Sequence, residues 1–290
     1  MLRSLLVMCC AYFAHAGLVS AQDSQSTLKV LSFNLRYLNP GDTGIHSWEV
    51  RRDLVANVIK KNAPDVLGIQ EGLRPMLDDL DNRLSGYAEV GCGRADGKTE
   101  GEASAIFVRT DRFTIQESGT FWLSDTPDVV GSKSWGNRVV RICTWVRLLD
   151  RQAGKFFYFF NTHLDHEAQL ARENGIKLIL QRIADCKFPG PFILTGDFNA
   201  EPENPIHQII RENPLAPFDV WKTLNPDTPE SESGTFHGFE GNTDGNRIDY
   251  IYASNDIEGL QSAILHDSEN GIYPSDHYPV SAILKFKAEN

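Results

Sequence analysis

The chain has 290 residues, 41% of them hydrophobic, and a formal net charge of −11. That suits one large domain or two small ones with ample core; no internal repeat, heptad or low-complexity tract is present, and the Pro/Gly-rich parts are short and scattered, so one domain is expected. The acidic balance argues against long DNA or RNA as the partner, because such a surface forgoes the phosphate attraction that drives nucleic-acid binding, although a bound divalent cation would reverse the field locally.

Residues 1–21 read as a leader. Arg3 supplies a positive start, and Leu5 to Ala14 is an apolar run too short to span a bilayer well. Val19-Ser20-Ala21 places small residues for cleavage before Gln22. The expected product is an exported domain over residues 22–290, secreted or periplasmic, with no membrane-docking segment after the leader and no sign of oligomerisation. Cleavage removes Cys9 and Cys10, leaving Cys92, Cys143 and Cys186. Three cysteines over this length are not a disulfide scaffold, and nothing in the sequence supports a Cys92–Cys186 bridge.

Leu28 to Leu35 alternates as a strand, with Leu31, Phe33 and Leu35 on one face and Asn34 on the other. Ser47 is placed to N-cap a helix whose apolar positions are Trp48, Leu54, Val55, Val58 and Ile59, closed by Pro64. Asp65 to Glu71 is a second strand, so strand, helix and strand form a βαβ unit with parallel strands. A second helix is expected over Leu73 to Leu84, then a glycine-rich loop over Gly91 to Gly101 that leads through Glu102 into a strand over Ala103 to Val108. Further strands are expected at Thr120–Leu123, at Val139–Leu148 carrying Arg141, and at Phe156–Asn161, which delivers His163. A helix from about Glu167 to Ala184 precedes the apolar run Phe192-Ile193-Leu194. That run enters Gly196-Asp197-Phe198-Asn199 and stops at Pro202, with a short helix after Pro205. Late strands cover Arg247–Ala253, Ser262–His266 and Pro279–Phe286. Early βαβ pairing with late consecutive strands predicts a mixed-sheet α/β sandwich.

Ligands of α/β proteins bind at the carboxyl ends of strands. Asp197 and Asn199, two apart in extended backbone, can face one cleft, one as base or metal ligand and the other as donor to a charged oxygen. Similar polar residues recur at strand ends: Asn34, Glu71, His163, Asp249, Asp276 and His277. Singly, each has a bland reading: Glu71 as a helix cap, His163 as a core histidine, Asp249 as the partner of Arg247 in an ion pair. Eight at one sheet edge favour one shared site.

The motifs Ser32-Phe33-Asn34, Gln70-Glu71, Asn161-Thr162-His163-Leu164, Gly196-Asp197-Phe198-Asn199, Arg247-Ile248-Asp249-Tyr250 and Ser275-Asp276-His277 occur in that order. In this ordered set the chain resembles the endonuclease/exonuclease/phosphatase superfamily. The resemblance spans about residues 28–286 and implies a four-layer α/β sandwich of two packed mixed β-sheets with a metal-dependent phosphoester hydrolase site at one edge. By resemblance, Asn34, Glu71 and Asp276 are ligands of Mg²⁺ (or Mn²⁺), hard donors for a hard cation. Asp197 is the base toward the attacking water, and Asn199 a donor to the phosphoryl oxygen. His277 contacts the phosphate, held in one tautomer by Asp249. His163 stabilises charge on the phosphoryl group or the leaving oxygen.

Other details resemble a bacterial, often secreted, subgroup: Phe33-Asn34-Leu35-Arg36, the Trp48 to Arg51 helix start, Gly101-Glu102, Arg141 to Trp145, Leu164-Asp165-His166 and Gly234 to Phe239. They make Arg36, Glu102, Arg141 and His237 candidates for a substrate-binding rim. Arg141 is either a phosphate clamp or half of a structural ion pair. His166 reads as a supporting residue at a helix start. The expected activity is hydrolysis of a small or exposed phosphoester: a sugar phosphate, inositol phosphate, nucleotide or lipid head group. A nuclease is the alternative, although no basic or aromatic stripe for tracking a strand is visible. A binding protein on an inactive scaffold is disfavoured, because Glu71, Asp197 and His277 are all present.

Overall fold

A computed structural model describes residues 27–288; the expected leader lies outside them. Among the described residues twelve strands form two six-stranded sheets. In chain order the elements are β1 (Leu28–Asn34), α1 (Trp48–Asn62), β2 (Val66–Gln70), α2 (Arg74–Asp81), β3 (Tyr87–Val90), β4 (Ile106–Arg109), β5 (Phe113–Trp122), β6 (Ile142–Asp150), β7 (Lys155–His163), α3 (Gln169–Ala184), β8 (Phe192–Asp197), α4 (Pro205–Glu212), β9 (Phe218–Asp219), α5 (Val220–Leu224), β10 (Asp249–Ala253), β11 (Ile257–Ile264) and β12 (Val280–Phe286). The first sheet runs β11-β12-β1-β2-β4-β3 and the second β5-β6-β7-β8-β10-β9. Each has one parallel pair at its centre, β1 with β2 and β7 with β8, and antiparallel neighbours on both sides. Helices α1 and α3 make the two parallel crossovers.

Strand alternation explains the layers. On β1, Leu28 and Val30 face the second sheet, where they meet Phe157, Phe159, Ile193 and Ile251. The opposite set, Leu31 and Phe33, packs under Val55, Ile59, Leu77 and Leu80 of α1 and α2. Tyr158, Phe160 and Leu194 pack under Ile176, Ile179, Ile206 and Ile210 of α3 and α4. Each such buried side chain contributes roughly 1.5–3 kcal/mol of transfer free energy. The layer between the sheets changes character along its length. Toward the carboxyl ends of the central strands, the same inward face carries Ser32, Asn34, Gln70, Asn161, His163, Thr195 and Asp197, all buried.

Asn161 fastens the sheets where apolar gives way to polar. Its amide donates to Ile69 O at 2.7 Å and Ala105 O at 2.9 Å. Its oxygen accepts from Gln70 Nε2 at 2.7 Å and Thr195 Oγ1 at 3.0 Å. Gly68 makes room for this: a Cβ there would lie 2.3 Å from Thr195 Oγ1 and 2.7 Å from Asn161 Oδ1.

Several expectations shift. The Val139–Leu148 strand begins only at Ile142, so Arg141 lies just before β6. Ser47 is the α1 N-cap by position but makes no side-chain cap bond. The half-exposed edge strand β3 and the short β9 and α5 had no sequence signal, since none carries a run of inward apolar positions. Cys92, Cys143 and Cys186 are free thiols. Among the described residues no helix is long and apolar enough to cross a membrane.

Gly68→Ala is expected to destabilise the domain by about 1–3 kcal/mol through overpacking, read as a lower denaturant midpoint at unchanged slope. A second test concerns His207, buried on α4 with Nδ1 2.8 Å from Tyr252 Oη. Burial pulls it from 6.5 down to about 4. The native state therefore holds the neutral ring, and its stabilisation is complete above pH 6.5 and lost as pH falls toward 4, by roughly 3 kcal/mol. His207→Gln should flatten that acid limb in equilibrium unfolding.

Candidate active site

The two parallel pairs bring four strand ends together: Asn34 ends β1, Glu71 follows β2, His163 ends β7 and Asp197 ends β8. Asp197 is the hub, almost wholly buried. Its Oδ2 accepts from Asn34 Nδ2 at 2.9 Å, lies 3.3 Å from His163 Nε2 and 3.9 Å from His277 Nε2. Its Oδ1 accepts from Asn199 N at 2.8 Å. Burial, then the neighbouring Asp249 carboxylate, pushes Asp197 up to about 7. Residues just past three strand ends, Arg36, Glu71 and Asn199, have left-handed backbone (φ 57°, 61° and 47°). Such strain in non-glycine residues concentrates where side chains must be re-aimed.

Behind Asp197, His277 Nδ1 lies 2.8 Å from Asp249 Oδ2. Burial pulls that imidazole down, but the Asp249 charge and hydrogen bond outweigh it and raise the ring to about 10. Thr235 Oγ1 accepts from the Ile248 and Asp249 amides, fixing the carboxylate that holds His277. Arg247 does not pair with Asp249; it pairs with Asp219 at 2.8 Å. His163 is held well below the usual imidazole value by burial and by the Arg141 charge, and its Nδ1 has no hydrogen-bond partner among the described residues. Glu102 Oε2 approaches that nitrogen to 3.9 Å but is bound by Arg94 through two bonds of 2.7 Å.

Glu71 Oε2 accepts from Tyr37 N at 2.7 Å and Oε1 from Asn34 Nδ2 at 3.2 Å. Asp276, raised by burial, has Arg36 Nη1 at 3.5 Å from its Oδ2, and Arg36 is also forked onto Asp42. Arg51, fully buried, donates to Leu35 O and Pro274 O, so it ties the loop after β1 to the loop carrying Asp276.

The site residues face a cleft of about 900 Å³. Arg36, Glu71, Glu102, Arg141, His163, Asp197, Asn199, Asp276 and His277 line it. Asn34, expected to offer its oxygen to a metal, has Oδ1 accepting from Arg36 N and Nδ2 donating to Glu71 and Asp197. One expected position differs. His237, expected at the rim, is buried and stacked on Tyr278 at 3.9 Å. Asp249 stands behind His277 and holds it, the place expected for it. Sequence reasoning overlooked Arg94, Tyr37 and Thr235. Thr235 lies in the quoted Gly234–Phe239 motif, so a signal existed for it; Tyr37 acts through its backbone, which carries none.

Glu71, His163 and Asp197 form one group whose ligand atoms lie within 4.8 Å of one another, and Asp197, Asp249 and His277 form another. The donors are carboxylates and imidazoles with no thiolate, so the residues present fit a hard divalent cation better than a structural zinc.

Two helix-covered mixed sheets with carboxylates and imidazoles at their central strand ends define a deoxyribonuclease I-like α/β sandwich. A family model described as Endonuclease/Exonuclease/phosphatase family matches residues 31–277, and the chain belongs to that family. A structure of a member from Bacteroides thetaiotaomicron is 35% identical, covers 91% of this chain and 99% of its own, and superposes with a TM-score of 0.83. A mannosyl-6-phosphatase from the same species is 36% identical over 89% of this chain and 100% of its own, with a TM-score of 0.81. Nocturnin of Drosophila melanogaster is 29% identical over 179 residues, 57% of this chain but only 26% of that longer protein. Members of the family are hydrolases acting on phosphoesters, phosphatases and nucleases among them, and generally need a divalent metal.

Proposed function

We propose that this protein is an exported, Mg²⁺-dependent hydrolase of small phosphoesters. The observation that carries the reading is the Asp197 hub. One carboxylate, reached by Asn34 from β1 and His277 from the β11–β12 connection of the first sheet and by His163 from β7 of the second, opens on a cleft sized for a small molecule. The likeness to a mannosyl-6-phosphatase over nearly the whole domain supports a sugar phosphate or similar small ester.

Glu71 and Asp276 are the carboxylates that would hold the cation, which when bound supplies a Lewis acid to the phosphoryl group. Asn34 keeps Glu71 and Asp197 at a fixed separation. Asp197 orients the attacking water and takes its proton. His277, kept charged by Asp249, donates to the phosphoryl oxygen. Asn199 and His163 stabilise charge on the phosphoryl group and the leaving oxygen. Positioning and fixed charge then supply most of the rate enhancement.

Turnover of small phosphoesters should vanish in EDTA, return with Mg²⁺ or Mn²⁺, and far exceed nicking of duplex DNA at moderate salt. Efficient nicking without small-ester turnover would make the protein a nuclease. Within the site, Asp197→Asn should lower turnover by about 10²–10⁴-fold with little change in the Mg²⁺ concentration required. Glu71→Gln should raise that concentration and recover in part with excess metal. A Mg²⁺ titration of both variants checks this; the opposite pattern would exchange the two roles. Export after removal of residues 1–21 predicts Gln22 as the first residue of the exported protein, and N-terminal sequencing that finds Met1 intact overturns it.

A further inference from the structure

We propose that the cleft takes a terminal phosphate, a phosphomonoester, and that Arg141 is the residue that selects it over a diester. The inference rests on the hydrolase reading and names its substrate class. Arg141 is 4% exposed and lines the cleft. Its place just before β6, next to β7 in the sheet, puts it beside His163. Its Nη2 lies 2.9 Å from His166 Nδ1. Nε and Nη1 have no hydrogen-bond partner among the described residues. The carboxylate closest to an ion pair with it, Asp165, stands 4.0 Å from Nε, too far for a hydrogen bond. Glu102 is taken up by Arg94. A buried guanidinium with two unmade bonds is costly, and an anion entering the cleft supplies the missing acceptors.

The number of free oxygens and the charge decide which anion. Arg141 and His163 both face the cleft, and behind them, toward Ala103, Ser104 and Ile142, there is no volume that a water molecule could fill. Nε and Nη1 of Arg141 call for charged acceptors. Oxygens turned toward Arg141 must be unesterified. A monoester has three terminal oxygens, enough for Arg141 and for the metal side of the site. A diester has two and a single negative charge, so it serves the metal side only by leaving Arg141 with fewer charged acceptors. On hydrolysis, water adds to phosphorus, the bond to the ester oxygen breaks, that oxygen gains a proton, and the products are an alcohol and inorganic phosphate.

The test uses the full chain with Mg²⁺, in parent and Arg141→Gln forms. Turnover is measured on 4-nitrophenyl phosphate and bis(4-nitrophenyl) phosphate. Affinity is measured by calorimetry with inorganic phosphate and dimethyl phosphate. The parent should favour the monoester and inorganic phosphate. Arg141→Gln should lose about 10–100-fold in kcat/KM for the monoester and in phosphate affinity, the worth of charged hydrogen bonds, with diester kinetics moved less than about threefold. Equal handling of both esters by the parent, or equal losses in the variant, overturns the proposal. If neither ester is cleaved while the phosphate preference and its loss persist, the hydrolase reading fails and the subsite stands. Should Arg141→Gln not fold, Arg141→Lys, which keeps the charge without the planar guanidinium, is read in the same way.

Discussion

The contact on which the rest depends is the polar bracket that Asn161 makes between the sheets. Apolar packing alone holds two sheets together without setting how far one slides over the other, because dispersion and burial are not directional. Four hydrogen bonds through one amide, two to backbone carbonyls of the facing sheet, do set it. They lie two residues before His163 on β7 and directly beneath Gln70 at the end of β2. Asn34 from one sheet can therefore hydrogen-bond Asp197 from the other, with Glu71 within 4.8 Å of Asp197 and His163. Gly68 is part of the same constraint, since any side chain there would occupy the space the bracket fills.

The architecture also places its charges in pairs of unequal burial. Asp249 and His277 satisfy each other, which keeps the imidazole charged in a dry setting. Arg94 and Glu102 do the same at the wall. Arg51 is a third solution, a buried cation satisfied by backbone carbonyls and lowered by burial to about 10. Against these closed pairs, three open atoms that face the cleft are informative: His163 Nδ1 and two nitrogens of Arg141. Buried polar atoms without partners are rare in folded proteins. These belong to adjacent residues on one wall of the cleft, where a ligand would supply the partners.

Much of this was legible in the sequence, for definable reasons. Strands such as Leu28–Asn34 and Phe192–Asp197 advertise themselves by inward alternation, and polar residues at their ends stand out against apolar runs. The parallel pairing of β1 and β2 followed from the helix between them. Features that depend on three-dimensional partners were not legible. Asn34 Oδ1 accepts from the Arg36 backbone N–H in a loop that turns left-handed at Arg36, and neither feature is announced by residue type. His237 belongs to a motif with rim residues, yet its ring is drawn into an aromatic stack with Tyr278 and Tyr273. The half-repeat of the fold, a parallel pair with antiparallel flanks in each sheet, left no trace in the residues. Topology constrains which face is apolar, not which apolar residue fills it.

The chain carries −11, and its cleft is mixed in charge: Arg36, Arg94, Arg141 and Arg172 line it, and so do Glu71, Glu102, Asp197, Glu201, Glu203 and Asp276. A divalent cation held among those carboxylates would turn the local field toward anions. In physiological salt, charges beyond about 8 Å of solvent are largely screened. A small anion inside the cleft is within reach of the arginines and feels little of the remaining surface. A long polyanion lies along that surface and meets its acidic groups over many Debye lengths, with no basic track to displace counterions. Under the proposed reading, a cation held in the cleft would set local attraction inside global repulsion and so favour a short anion over a long one.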